Sequence, residues 1–187
     1  MTELVIHRDL PAGALEATGD GWTVSGLAVP YGREVEVSDD GGQTRYLEEF
    51  ATGSFTRDVG KGGRWVNLFL GHKGDDGDRF LGRCVGLDET PAGLFSSFRI
   101  DRSHPAAEAA RSGELRGWSV SARVYRSREV ARAGRVVILR EACGLSHVAA
   151  TANPQYAGAG VLVARDHELI ASTPILDRLR AQGYGRT

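Results

Sequence analysis

Apolar residues along the chain fall in short runs that are separated by glycine, proline and polar residues. Several runs alternate between apolar and polar positions, which is typical of strands, and Pro91 and Gly93 between two of them favour a hairpin turn. The runs that the pattern predicts as strands are residues 22–29, 64–70, 80–87, 94–100, 118–124, 135–140 and 145–150, with a further short apolar piece at 46–50. The chain is therefore predicted to be mainly β.

Helical signals are confined to short stretches between and after these runs. Residues 51–60 (ATGSFTRDVG) predict a turn of helix, and residues 104–115 (HPAAEAARSGEL) combine helix formers with an early proline. A C-terminal tail over residues 168–187 carries apolar positions that fit an amphipathic helix. No linker divides the chain, so we expect a single domain over residues 1–187. The expected architecture is α+β, with short helices around an antiparallel β-barrel of about seven strands.

Composition narrows the classes of function. The 23 basic and 24 acidic residues nearly balance, and no basic stripe stands out, which argues against nucleic-acid binding. No run approaches the roughly 20 apolar residues that a membrane-spanning helix needs. The two cysteines, Cys84 and Cys143, lack CxxC or zinc-finger spacing, so we expect reduced thiols, no metal and no cofactor. These features predict a soluble intracellular protein without a signal peptide.

The run 118–124 carries two serines on one face. Alternation places Ser119, Ser121 and Arg123 opposite Trp118 and Val120. Such a face is either solvated or catalytic, because a serine nucleophile needs a neighbouring base and a positive or N–H-rich partner for the oxyanion. The period of the strand does not choose between the two serines.

Two histidines occupy positions that fit either a site or a structural role. His72 follows the apolar run 64–70 and precedes an acidic loop, so it is either a surface residue or a general base held by a rigid strand. His147 lies within the small apolar stretch CGLSHVAATANPQY, where it is either a core residue or part of a site. Cys143 is a poor candidate nucleophile, since four strand positions put it about 13 Å from His147.

Taken in order, the segments around His72, Ser119 and His147 resemble those of herpesvirus assemblin, the capsid maturation protease. The apolar strand that ends in His72, with its polar loop and FLG glycine, looks like the first histidine segment. The run SVSAR is similar to the S-x-S-S-R serine segment, and SHVA is similar to the segment of the third catalytic residue. The order and spacing of the three are more specific than any one of them.

The tailed-phage prohead proteases, which are related to assemblin, share three further segments with this chain. These are GLAVPYG at 26–32, EEFATGSF at 48–55 and the A-N-P run at 152–154. The resemblance therefore covers about residues 22–163. It implies a serine endopeptidase with an assemblin-like barrel.

Carried over by position, the resemblance implies a role for each residue of the triad. Ser119 would be the nucleophile, His72 the general base, and His147 the residue that orients and polarises His72. Ser121 is the alternative nucleophile. Many phage relatives carry an acid near the last segment, where this chain has Gly144. A Ser-His-acid triad with Glu141, or with Asp75 or Asp76 of the acidic loop, is therefore the alternative to Ser-His-His. Arg123 matches the arginine of the serine segment.

The implied substrates are the scaffold region of the capsid protein, any separate scaffold protein, and the protease itself. The resemblance also implies self-association as a dimer, with contacts from a C-terminal segment such as residues 173–182. The expected location is the assembling procapsid in the host cytoplasm. The alternative from another functional class is a catalytically inactive β-barrel that serves as an assembly module of the procapsid.

Overall fold

A computed structural model gives the fold and describes residues 4–10, 16–18, 21–38, 45–71, 80–112, 114–115 and 117–151. The described residues form ten strands and two short helices. The strands are β1 (Leu4–Leu10), β2 (Glu16–Thr18), β3 (Thr23–Pro30), β4 (Val35–Val37), β5 (Tyr46–Phe50), β6 (Asn67–Leu70), β7 (Phe80–Thr90), β8 (Gly93–Ile100), β9 (Gly117–Arg132) and β10 (Arg135–Thr151). The helices are α1 (Thr56–Val59) and α2 (Ala107–Ser112). The predicted C-terminal helix lies outside the described residues.

The strands form one mixed sheet, in which the main path runs β1-β9-β10-β6-β7-β8-β3-β2. The expectation of a purely antiparallel sheet is wrong, because β10 pairs in parallel with both β5 and β6. The 17 residues of β10 leave room for both partners on one edge. β5 pairs with Val137–Arg140 and β6 with His147–Ala150, and the segment that contains α1 connects the two.

The number of strands exceeds the seven that the pattern predicts. β1, β2 and β4 were not recognised and 46–50 was predicted only as a short apolar piece, whereas the runs 135–140 and 145–150 join in the single strand β10. β3 approaches β1 and β9, which lie at the other end of the main path, so the sheet is curled. No hydrogen-bonded ladder among the described strands joins β2 or β3 to β1. The closed barrel therefore stays a prediction.

Several boundaries differ from those the sequence predicts. The strand expected from residue 64 begins at Asn67, because Gly62 and Gly63 have positive φ and begin a turn that continues through Trp65. Trp65 is 71% exposed, so its apolar character does not mark a buried strand. The hairpin turn between β7 and β8 is confined to Pro91 and Ala92, and the expected helix at 104–115 is limited to α2.

The hydrophobic core lies against one face of β9, β10 and β6. Trp118, Val120 and Ala122 are fully buried on this face, as the alternation predicts. Val120 lies opposite Val148, which in turn lies opposite Leu68. None of the helices in the described part of the chain is long and apolar enough to span a bilayer.

A buried ion network joins β1, β5, β9 and β10. The guanidinium of Arg8 donates to both carboxylate oxygens of Glu48, at 2.5 and 3.0 Å, and Arg140 Nε donates to Glu48 Oε2 at 2.6 Å. Both arginines also donate to the hydroxyl of Tyr46, and Arg140 donates to Ser127 Oγ. Arg8 and Glu48 are each 2% exposed. Two buried cations therefore share one buried carboxylate.

Candidate active site

Ser119 and Ser121 project from β9 on the face opposite Trp118 and Val120. Both serines are 2% exposed, so this face is covered and not solvated at these positions. In the register, Ser119 lies opposite Ala149 and Ser121 lies opposite His147. The two serines therefore present hydroxyls on the same side of the sheet as His147.

His147 lies in the C-terminal third of β10 and has neighbouring strands on both sides. Ser121 of β9 and Asn67 of β6 are directly opposite it. Its half-buried ring packs edge-on against the ring of Phe69, with centroids 5.3 Å apart and planes at 80°. Because the adjacent Val148 points into the core, His147 points to the serine face and is not a core residue.

The register fixes how close His147 lies to each serine. Residues directly opposite in neighbouring strands have Cβ atoms about 4.5–5.5 Å apart, and diagonal neighbours about 7–8 Å apart. Ser121 is in the first relation to His147 and Ser119 is in the second. Either hydroxyl is therefore close enough to share one site with the imidazole.

His72 lies outside the described residues, as do Asp75 and Asp76. The described segment before His72 ends at Gly71, whose N–H donates to the carbonyl of Ala150 at 3.1 Å. Gly71 has a φ of 70°, a conformation that favours glycine and turns the chain as it leaves β6. β6 thus delivers the chain to the end of β10 that carries Ala149, the residue opposite Ser119.

Glu141 is not brought to the serines. Its carboxylate accepts hydrogen bonds from Arg128 Nε at 2.6 Å and from Arg126 Nε at 3.0 Å. These hydrogen bonds, Arg128 first, hold the pKa of Glu141 below its ordinary value. Six strand positions separate Glu141 from His147, which corresponds to about 20 Å. Glu141 therefore lies far from both serines and from His147, and its carboxylate is engaged by two arginines.

Arg123 and Gly144 lie opposite each other, further along β9 and β10. Arg123 is exposed, and four strand positions put its Cα about 13 Å from that of Ser119. A Cβ at position 144 would lie 2.5 Å from Tyr125 Oη, so glycine makes room for the phenol. Position 144, where the sequence resemblance would place an acid, is therefore packed against the tip of Tyr125.

Cys143 is a structural residue and not a nucleophile. The thiol is 1% exposed, and burial raises its pKa to about 12. A thiol with this pKa stays protonated at neutral pH, and the thiolate is the nucleophilic form. Both Cys143 and the half-buried Cys84 are free thiols.

Asp58 of α1 supports the strand that carries His147, a role that no sequence pattern indicates. The ladder between β9 and β10 shifts register between Leu145 and His147. At this irregularity the N–H of Leu145 donates to Asp58 Oδ2 at 2.6 Å, and the N–H of Cys143 donates to the carbonyl of Ser54 at 2.7 Å. The α1 segment therefore holds β10 in place just before His147.

Within the described part of the chain, no group of three or more histidine, cysteine, aspartate or glutamate residues could hold a metal ion. The chemistry that the described residues support is that of hydroxyls beside an imidazole.

Comparison with known proteins shows a likeness in structure at low sequence identity. No family model matches the chain, and no curated protein matches its sequence. Among solved structures, the chain is similar to the capsid assembly protease of bacteriophage T4. The two share 10% sequence identity with a TM-score of 0.42, over 71% of this chain and 98% of that chain. A likeness of this size does not assign an activity.

Proposed function

We propose that this chain is a serine endopeptidase that matures a viral procapsid. The observation that carries the proposal is the register of three neighbouring strands. β9 holds Ser119, β10 holds His147, and β6 leads directly to His72. The same three residues lie in the segments that resemble assemblin and the prohead proteases, so the sequence order and the strand order support one reading.

In the proposed mechanism, His72 removes the proton of the Ser119 hydroxyl as the oxygen attacks the scissile carbonyl. The tetrahedral intermediate collapses when the protonated His72 gives its proton to the leaving amine, and an acyl-enzyme remains. Water, deprotonated by His72, then attacks the ester, and Ser119 regains its proton as the carboxylate product leaves. His147 orients and polarises His72. Backbone N–H groups stabilise the oxyanion.

A neutral imidazole as third residue makes a slower enzyme than a carboxylate does, because it stabilises the imidazolium of His72 less. Slow turnover suits an enzyme that cuts pre-assembled chains once. The proposed substrates are the scaffold region of the capsid protein, a scaffold protein and the enzyme itself. The enzyme acts as a dimer inside the assembling head in the host cytoplasm.

The test is to co-express the chain with the capsid protein of its virus and to follow shortening of that protein on a gel. Ser119→Ala and His72→Ala are expected to abolish shortening, since triad substitutions lower kcat by about 10⁴–10⁶. His147→Ala is expected to slow it. Ser121→Ala is the matched control and is expected to retain it, although Ser121 lies directly opposite His147.

A fluorophosphonate probe separates an enzyme from an inactive assembly module, because it labels only activated serines. Labelling of the wild type and of Ser121→Ala, but not of Ser119→Ala, is the expected result. Processing by Ser119→Ala equal to that of the wild type would remove Ser119 from the mechanism. Absence of both labelling and processing in the wild type would leave the inactive barrel as the function.

A further inference from the structure

A row of polar residues crosses the sheet on the serine face and extends well beyond His147. Starting from β9, the register places Ser121, His147, Asn67, Arg83 and Arg99 directly opposite one another in β9, β10, β6, β7 and β8. Directly opposite residues share one face of a sheet. The candidate active site and the two arginines therefore lie on the same surface.

The two arginines are exposed cations at the far end of this row. Arg83 packs its guanidinium over the ring of Phe80, 5.6 Å from the centroid, and no carboxylate of the described residues forms an ion pair with it. Arg99 Nη1 contacts Thr23 Oγ1 at 3.4 Å. The nearby Asp101 accepts hydrogen bonds from the N–H and the hydroxyl of Ser103, at 2.9 and 2.7 Å. These bonds, and to a smaller extent the charge of Arg83, lower the pKa of Asp101.

An apolar row separates the arginines from Ser119. Ser119 lies opposite Ala149, which lies opposite Phe69, which lies opposite Phe80. The rings of Phe69 and Phe80 pack edge-on, with centroids 6.3 Å apart. The surface next to the serine thus offers an apolar stretch first and positive charge after it.

The distances match a short length of extended peptide. Three strand spacings and a two-residue offset separate Ser119 from Arg83, which gives about 16 Å between their Cα atoms. An arginine side chain reaches about 6 Å from its Cα. The remaining distance of about 10 Å is spanned by about three residues of an extended chain.

We propose that Arg83 and Arg99 are specificity residues that bind an acidic side chain of the substrate about three residues from the scissile bond. This inference rests on the proposed peptidase function and names its substrate class, peptides with a carboxylate at that distance. Phe69 and Phe80 line the path between the bond and the carboxylate. The arginines do not touch the reacting atoms.

Binding at this distance has a defined kinetic signature. A contact that is equal in the ground state and the transition state changes KM and leaves kcat unaltered. Because both arginines are exposed, their contribution is modest and screened by salt, and together they are expected to change kcat/KM by about three- to tenfold.

The experiment profiles cleavage sites in a mixed peptide library by mass spectrometry. The wild type is compared with the double variant Arg83→Glu/Arg99→Glu. Arg33→Glu is the matched control. Arg33 is an exposed arginine three residues beyond Pro30, the last residue of β3. Pro30 pairs with Gly93 of β8, which lies about 20 Å along β8 from Arg99. Fluorophosphonate labelling of Ser119 is measured for all three proteins.

The wild type and Arg33→Glu are expected to enrich Asp and Glu at one position about three residues from the cut. The double variant is expected to lose that enrichment in favour of Lys and Arg, with labelling of Ser119 unchanged. If the double variant keeps the enrichment of Asp and Glu, this inference alone is overturned. The same holds if the wild type is labelled and cleaves peptides but shows no enrichment of Asp and Glu. A wild type that neither cleaves nor is labelled overturns the proposed function and this inference with it.

Discussion

Cys143 and Tyr31 are buried groups whose raised pKa values make the stability of this protein depend on pH. Burial holds the thiol pKa of Cys143 at about 12 in the folded chain, against an ordinary value of 9.0. Burial and the neighbouring Glu89 also raise the pKa of Tyr31 above its ordinary value of 10.0. Both groups keep their protons in the folded state at pH values where the unfolded chain has lost them.

We predict that the free energy of unfolding falls as pH rises from about 9 to 12. Below this window both states are protonated, so the contribution of Cys143 is fully present. Within it, the folded state binds more protons, and the slope from one group is at most about 1.4 kcal/mol per pH unit. Urea unfolding of the wild type and of Cys143→Ala at several pH values measures the effect. Parallel pH curves for the two proteins would contradict it.

Residue types and their alternation predict part of the site. The alternation of 118–124 correctly separates the two serines from the core residues Trp118 and Val120. It does not reveal that Ser121 faces His147, because the register between strands depends on a bulge in β10. The sequence also does not reveal that Tyr125 lies over Gly144, because this contact depends on how closely β9 and β10 approach each other.

At the scale of elements, β10 is held by partners of different kinds along one edge. β5 and β6 pair with its two ends, and the α1 segment fills the gap between them. Because the backbone groups of a buried strand all need partners, the gap has to be closed by something other than a strand. Asp58 closes it at Leu145.

We predict that Asp58→Ala lowers the free energy of unfolding by about 1–3 kcal/mol, because it leaves the N–H of Leu145 without its acceptor. Asp58→Asn retains an oxygen acceptor and is expected to recover most of this loss. Thermal unfolding followed by circular dichroism measures both variants. If the alanine and asparagine variants were equally stable, the hydrogen bond to Leu145 would have no part in the effect.

Element boundaries were predicted best for strands with many buried residues. β3 is buried at every residue after Thr23, and β8 buries alternate residues along most of its length. The outer half of β9 was missed, because residues 125–132 are mostly exposed and rich in arginine, so burial imposes no period there. The parallel pairing of β10 was missed because strand runs alone carry no direction.

For the whole molecule, the network of Arg8, Glu48 and Arg140 connects β1 to β10, the first and last of the described strands. Removal of one partner from a buried ion pair is costly, because an uncompensated charge is left inside. Two arginines depend on the single carboxylate of Glu48. The network is therefore expected to matter far more for stability than the ion pairs on the surface.

We predict that Glu48→Gln lowers the free energy of unfolding by about 3–5 kcal/mol, since the amide keeps the shape of the side chain but not its charge. Glu141→Gln, which breaks the exposed pairs with Arg126 and Arg128, is the matched control and is expected to change stability far less. Urea unfolding measures both. Equal losses would show that burial does not set the strength of these pairs.

The position of β9 and β10 in the chain also determines how early during synthesis the sheet can form. β1, β5 and β6 all pair with these two strands, which are the last of the described elements to be synthesised. Contacts so distant in sequence form slowly and require the whole segment through Thr151 to have left the ribosome. A nascent chain therefore cannot bring Ser119 and His147 onto neighbouring strands before Thr151 has emerged, so the proposed peptidase would stay inactive until then.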